Sequence, residues 1–311
     1  MSAKPSLDEA YAHCEQMAKS HYENFPVGSL LIPKKNRPHV WSIYAFARSA
    51  DDFADENYPL RNSFPNDESW RLAIQNQETE RLEKLDQWQQ WLLHCVEDKA
   101  THPIFVALGH TIRELKIPVQ LLIDLLTAFK MDVIKRRQQN WDEVLFYCKH
   151  SANPVGRLVL RVFGYNDPRL DEMSDGICTG LQLANFWQDI AVDREKDRIY
   201  IPQSLFEKNQ LSLQEFFSQN SHFQWKDLFE ELGQFTLPLF LKGHELPLKV
   251  KGRLSLELKC TWLGGMNILQ RACFNPHRKG LERPQIKKMD KLKILWQALG
   301  LLPWSKVPKQ M

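Results

Sequence analysis

No cysteine pair in this chain has the C-x-x-C spacing. The six cysteines, Cys14, Cys95, Cys148, Cys178, Cys260 and Cys273, are scattered, which indicates neither a disulfide framework nor a zinc knuckle. Reduced thiols in or near a cytosolic core are expected. Excess charge is also scarce: 41 Lys and Arg against 38 Asp and Glu leave +3, no reason to expect nucleic acid as the main partner. No window reaches the ~18 continuous apolar residues of a membrane span. The N-terminal MSAKPSLDEAYAHCEQ has no apolar stretch behind its lysine, so no signal peptide is expected. G-x-G-x-x-G, the P-loop and a βαβ rhythm are missing, and alternating strand patterns are nearly so.

What is present is helical periodicity over most of the 311 residues. Helices are expected over 8–21, from Pro38 through Phe53, and over 68–95, 103–115, 118–136 and 141–149. Asn153-Pro154 interrupts the pattern, a strong helix follows over about 169–193, and RIYIP at 198–202 stops at a proline. Further helices are expected at 211–221, 225–240, 247–271 and 286–299, and NFPVGS reads as a turn. No Gly/Ser linker divides the chain, so the fold class is all-α: one helical domain over 1–280, then a basic amphipathic helix or tail over 281–311. Ten Trp and seventeen Phe suit a wide apolar cavity and equally suit aromatic packing in a helical core.

Two acidic clusters carry the chemistry. SADDFADEN (49–57) follows the apolar VWSIYAFAR (40–48). Asp51 and Asp55, four apart, share a helix face, with Arg48 three residues before Asp51 on roughly the same side. Like charges at that spacing cost only about 0.2–0.5 kcal/mol on an exposed helix. Alone, the cluster is as much a solvated helix end as a site. In the second stretch, 180–202, Asn185, Asp189, Asp193 and Asp197 recur in steps of four among Leu181, Leu183, Ala184, Phe186, Trp187 and Ile190. A polar stripe inside an apolar helix costs desolvation unless something satisfies it, and a divalent cation would. The alternative, a solvated face, applies most to Asp197, which lies in the mixed-charge run 193–198.

Oxygen ligands with no Cys or His at useful spacing point to Mg²⁺ or Mn²⁺ rather than zinc. Magnesium held by one or two carboxylates, water and phosphate oxygens would make a diphosphate a good leaving group. The carbocation left behind would need an apolar pocket with aromatic faces, for which Tyr44, Phe46, Phe53, Phe186 and Trp187 are candidates. Arg48, Lys149, Arg157, Arg194, Arg198 and Tyr200 could contact phosphate, Arg48 and Arg198 first among them.

At these residues the chain resembles the squalene/phytoene synthase family. The matching pieces are YAFARSADDFADE (44–56), SANPVGRLV (151–159) and LQLANFWQDIAVDREKDRIYIP (181–202). The resemblance implies the isoprenoid synthase fold: an all-helical domain around a central cavity, with two facing aspartate-rich helices that bind diphosphate through Mg²⁺. Asp51, Asp52 and Asp55 match the first motif, and Asn185, Asp189 and Asp193 the second. Carried over in this way, Asp51, Asp55, Asn185, Asp189 and Asp193 would be metal ligands. Arg48, Asp52, Asn185, Arg198 and Tyr200 would bind the metal–diphosphate group, and Asp51, Asp55, Asp189, Asp193 and Tyr44 would be catalytic.

ENFPVGSLLIP (23–33), AFKMDVIKRR (128–137) and NFWQD (185–189) resemble the bacterial hydroxysqualene synthase branch of hopanoid biosynthesis. Phe186, Trp187 and Gln188 stand where ordinary squalene and phytoene synthases carry I-L-R, and Lys149 stands where the broad family often has a tyrosine. The branch implies presqualene diphosphate as substrate, capture of the cation by water and no NADPH. The alternative is a squalene or phytoene synthase that joins isoprenyl diphosphates head to head, and a rival of another class is a noncatalytic isoprenoid-lipid carrier. A cytoplasmic location is expected. The tail PHRKGLERPQIKKMDKLKILWQALGLLPWSKVPK reads either as a peripheral contact with the inner face of an anionic membrane or as an ordinary packed terminal helix.

Overall fold

The computed structural model describes residues 4–20, 32–55, 59, 61–213, 216, 222–275 and 281–303. The NFPVGS turn, most of the helix expected over 211–221, nearly all of ENFPVGSLLIP, Glu56 and Trp304 lie outside the described residues. The helices are α1 (Leu7–Ser20), α2 (Arg37–Asp55), α3 (Asp67–Val96), α4 (Pro103–Leu115), α5 (Gln120–Ile134), α6 (Trp141–Ser151) and α7 (Asn153–Val162). They continue with α8 (Pro168–Arg194), α9 (Gln203–Lys208), α10 (His222–Lys242), α11 (Leu246–Lys249), α12 (Gly252–Cys273) and α13 (Lys288–Ala298). Among the described residues there is no sheet, only an isolated parallel bridge between Arg137 and Ile199. The fold is all-α. None of the described helices is long and apolar enough to cross a membrane, and all six cysteines are free thiols.

Local chemistry sets the helix ends. Ser6 and Glu9 cap α1 reciprocally: the Ser6 amide donates to the Glu9 carboxylate (2.8 Å) and the Glu9 amide to Ser6 Oγ (3.3 Å). Asn66 and Asn140 accept amides of the first turns of α3 and α6, from Ser69 at 2.8 Å and Glu143 at 3.1 Å. Asn153-Pro154 does interrupt the helical run, but by opening α7, because a first-turn proline gives up only an amide that has no helical partner. The helix expected over 247–271 is divided, with Val250 and Lys251 extended and Gly252 in the left-handed region at φ +63°.

The chain forms two compact units, Met1–Ile134 with Pro154–Asp171, and Lys135–Asn153 with Glu172–Met311. In the first, Phe46, Leu85, Leu92, Phe105, Leu108 and Leu122 are essentially fully buried, each worth roughly 1.5–3 kcal/mol of transfer free energy. Trp88 Nε1 donates to the Phe46 carbonyl at 3.2 Å, which fixes α3 against α2. In the second, Trp187 Nε1 donates to Thr236 Oγ1 (2.9 Å) and Trp262 Nε1 to the Phe240 carbonyl (2.9 Å). Both indoles are buried with their one polar atom satisfied.

Candidate active site

In the first unit, α2 buries Ala45, Phe46, Ala50 and Ala54 and leaves Tyr44, Arg48, Asp51, Asp52 and Asp55 partly accessible. Arg48 reaches Asp52 at 2.6 Å and Asp51 at 3.4 Å. One guanidinium does not cancel the local negative field. Burial, reinforced by Asp55, opposed by Arg48 and further reinforced by Asp132 and Asp52, pushes the Asp51 carboxyl up to about 6. Burial also raises the Tyr44 phenol, with Arg48 opposing and Asp52 and Asp51 reinforcing, so that side chain belongs to the same electrostatic group. Asp52 differs from its neighbours, since it also lines an open pocket of about 540 Å³ with His13, Met17, Phe53 and Trp88.

Asp132 is the member that sequence reasoning missed. It lies on α5, which packs on α2, within AFKMDVIKRR. The only available signal was an acid set among apolar residues of that helix.

In the second unit, α8 turns Leu183, Ala184, Phe186, Trp187 and Ile190 inward and leaves Asn185 exposed. The expected desolvation of Asn185 is therefore absent, because the apolar residues around it in sequence occupy the opposite face. The Asp189 side chain is 12% exposed, and Arg283 satisfies it through two contacts of 2.5 and 3.1 Å. Asp189 leaves helical geometry (φ −104°, ψ 15°), in the region where many active-site residues sit. Asp193 is half-buried and near enough to raise the Arg283 guanidinium, after the direct bond from Asp189.

α8 ends at Arg194, so Asp197 is off the stripe. It is buried at φ +56° and ion-paired with Arg137 at 2.5 Å. This pairing replaces the solvated reading of Asp197. Arg198 and Tyr200 are also buried, and the Tyr200 ring stacks on Phe186 at 3.7 Å. Phe46 and Trp187 are core residues without an exposed face, which removes them as faces for a cation, and Lys149 is exposed.

Arg283 gave no sequence signal, since it lies in the segment counted with the tail. Gln188 Nε2 donates to the Pro284 carbonyl (2.5 Å) and Arg271 to the Gln285 carbonyl (2.6 Å), so α8 and α12 hold the two residues that follow Arg283.

Among the described residues no three His, Cys, Asp or Glu side chains form a ready-made cation cage. The donors still fit magnesium. They are oxygen-only, and in the first unit Asp55, Asp132 and Asp52 add to burial in raising the Asp51 carboxyl, a cluster of negative charge that a cation would relieve. Magnesium commonly takes one or two carboxylates and completes its shell with water and substrate phosphate.

The squalene/phytoene synthase profile matches residues 18–290. The chain belongs to the squalene/phytoene synthase family. Among family members it is similar to the hydroxysqualene synthase of Rhodopseudomonas palustris, 34% identical over 76% of this chain and 74% of that protein. It is also similar to that of Sinorhizobium fredii, 35% identical with the same coverage. The crystal structure of squalene synthase HpnC from Alicyclobacillus acidocaldarius superposes with a TM-score of 0.75 at 34% identity, covering 87% of this chain and 96% of that one. The family's isoprenoid synthase fold is thus present.

Proposed function

We propose that this family member is a hydroxysqualene synthase, converting presqualene diphosphate and water to hydroxysqualene and diphosphate. The observation that carries this reading is the 34–35% identity to bacterial hydroxysqualene synthases over three quarters of the chain. The carboxylates on α2, α5 and α8 support the ionisation half. Mg²⁺, when bound, would neutralise the charge that grows on the diphosphate as the carbon–oxygen bond breaks. Asp51 and Asp55, with Asp132, would hold it in the first unit, and Asn185, Asp189 and Asp193 in the second.

Arg48 holds the direction of the Asp51 and Asp52 carboxylates through its ion pairs with them, and Arg198 and Tyr200 would contact the diphosphate. Tyr44 presents an aromatic face beside the charge cluster, suited to the cation formed when diphosphate departs. Water then adds to that cation and gives up a proton, so the balance needs no reductant.

Incubation of the purified protein with presqualene diphosphate and Mg²⁺, with and without NADPH, tests this. Hydroxysqualene is expected in both arms, and chelation by EDTA abolishes it. Turnover of farnesyl diphosphate alone, or a strict NADPH requirement, would overturn the reading. It would favour the second one, a squalene synthase, which is what the similar Alicyclobacillus protein is called.

A further inference from the structure

α13 is amphipathic in two directions. At about 100° per residue, Asp290, Ile294, Gln297 and Ala298 share one side. This is the side that packs: Ala298 is 3% exposed, the other three are half-buried, and Asp290 pairs with Arg271 of α12 at 2.8 Å. The opposite side carries Met289, Leu292, Leu295 and Trp296, continued past the helix by Leu299 and Leu301, all exposed. Met289 and Leu301 are 75% and 69% exposed. Lys291 and Lys293 flank this apolar arc, one on each edge, and Lys287 and Lys288 stand at its N-terminal end. The one acid of the helix points the other way, to Arg271.

We infer that this outward face of α13 is a docking surface for an anionic phospholipid membrane. Leu292, Leu295 and Trp296 enter the headgroup boundary while the lysines meet lipid phosphates. A second copy of the chain fits less well, because pairing the faces would oppose lysine to lysine. A lipid surface fits the charge and also leaves the α12-facing side undisturbed. The inference rests on exposure and charge, and gains purpose from the apolar substrate class proposed above.

The test is flotation of the full-length protein with vesicles, in the absence of substrate, so failure of the catalytic reading leaves the result intact. Flotation is expected with phosphatidylglycerol-containing vesicles, with loss in high salt and little binding to pure phosphatidylcholine. Leu295→Glu with Trp296→Glu, and separately Lys291→Glu with Lys293→Glu, should each weaken binding by about tenfold or more. Lys84→Glu with Lys99→Glu, an equal charge change in the first unit, should leave it unchanged. Circular dichroism and thermal melting confirm that each variant is folded. Equal flotation with neutral vesicles, no flotation, or an apolar-face variant that changes oligomeric state without changing flotation would overturn the inference.

Discussion

A carboxylate held beside other carboxylates weakens the fold that holds it. Asp51 shares its surroundings with Asp55, Asp132 and Asp52, and burial adds to the cost of its charge. Asp51→Asn is therefore expected to melt at or above the wild-type temperature without Mg²⁺. The same change lowers presqualene diphosphate turnover by roughly a hundred- to thousandfold. Calorimetry and steady-state kinetics on one preparation check both, and a variant that loses activity by losing stability contradicts the assignment. At this scale the sequence showed Asp51 and Asp55 because helical spacing alone brings them together. It did not show Asp132, whose place depends on α5 packing on α2, nor the exposure of Asn185. The side a helix turns inward is set by its neighbours as much as by its own pattern.

Helices were legible from apolar periodicity, most of them with ends within a few residues of those observed, as in α4 at Pro103–Leu115, but their crossings were not. α8, α10 and α12 approach closely around Phe240, where a Cβ at Gly265 would stand 2.5 Å from Leu181 and 2.7 Å from Phe240. Gly265→Ala is expected to cost about 1–3 kcal/mol, measured by denaturant unfolding, with part recovered when Phe240→Leu makes room. The sequence placed the end of α8 within a residue of Arg194, but nothing in the spacing of the second motif announced the return of Arg283 to Asp189, because that contact joins residues far apart in the chain. Arg283→Ala leaves the largely buried Asp189 carboxylate without that guanidinium, at a cost of about 1.5–3 kcal/mol in the metal-free protein. Mg²⁺ should then raise the melting temperature of Arg283→Ala by more than it raises that of the wild type, since the cation no longer competes with an internal one. An equal rise in both proteins would show that Arg283 does not compete.

At the scale of the whole chain, the family was legible because motif residues and their spacing survive in sequence. The two compact units were not. Their boundaries at Ile134 and Asn153 fall where composition does not change, and 135–153 joins a unit whose remainder begins at Glu172. Buried titratable groups distributed over both units give a measurable sum. Burial pushes the thiols of Cys14 and Cys95 in the first unit and Cys148 in the second up to about 12. The unfolded chain loses these protons near pH 9 while the folded chain keeps them, so their stabilisation is present below pH 9 and is lost as pH rises through the window from about 9 to about 12. Three thiols imply a fall of about 4 kcal/mol per pH unit once the unfolded thiols are ionised.

His39 and His102 act at the other end. Burial lowers both from 6.5, so the unfolded chain binds the extra protons and their contribution to stability falls as pH drops below about 6.5, while Asp51, raised to about 6, contributes in the opposite sense below that pH. The expected profile is a plateau near neutrality with an alkaline slope steeper than the contribution of any one thiol. Cys148→Ala should remove about a third of that slope in guanidinium titrations at successive pH values. The slope is the informative quantity, because the packing lost with the sulfur shifts the whole curve without tilting it. An unchanged slope in Cys148→Ala would show that this thiol ionises alike in the folded and unfolded chain.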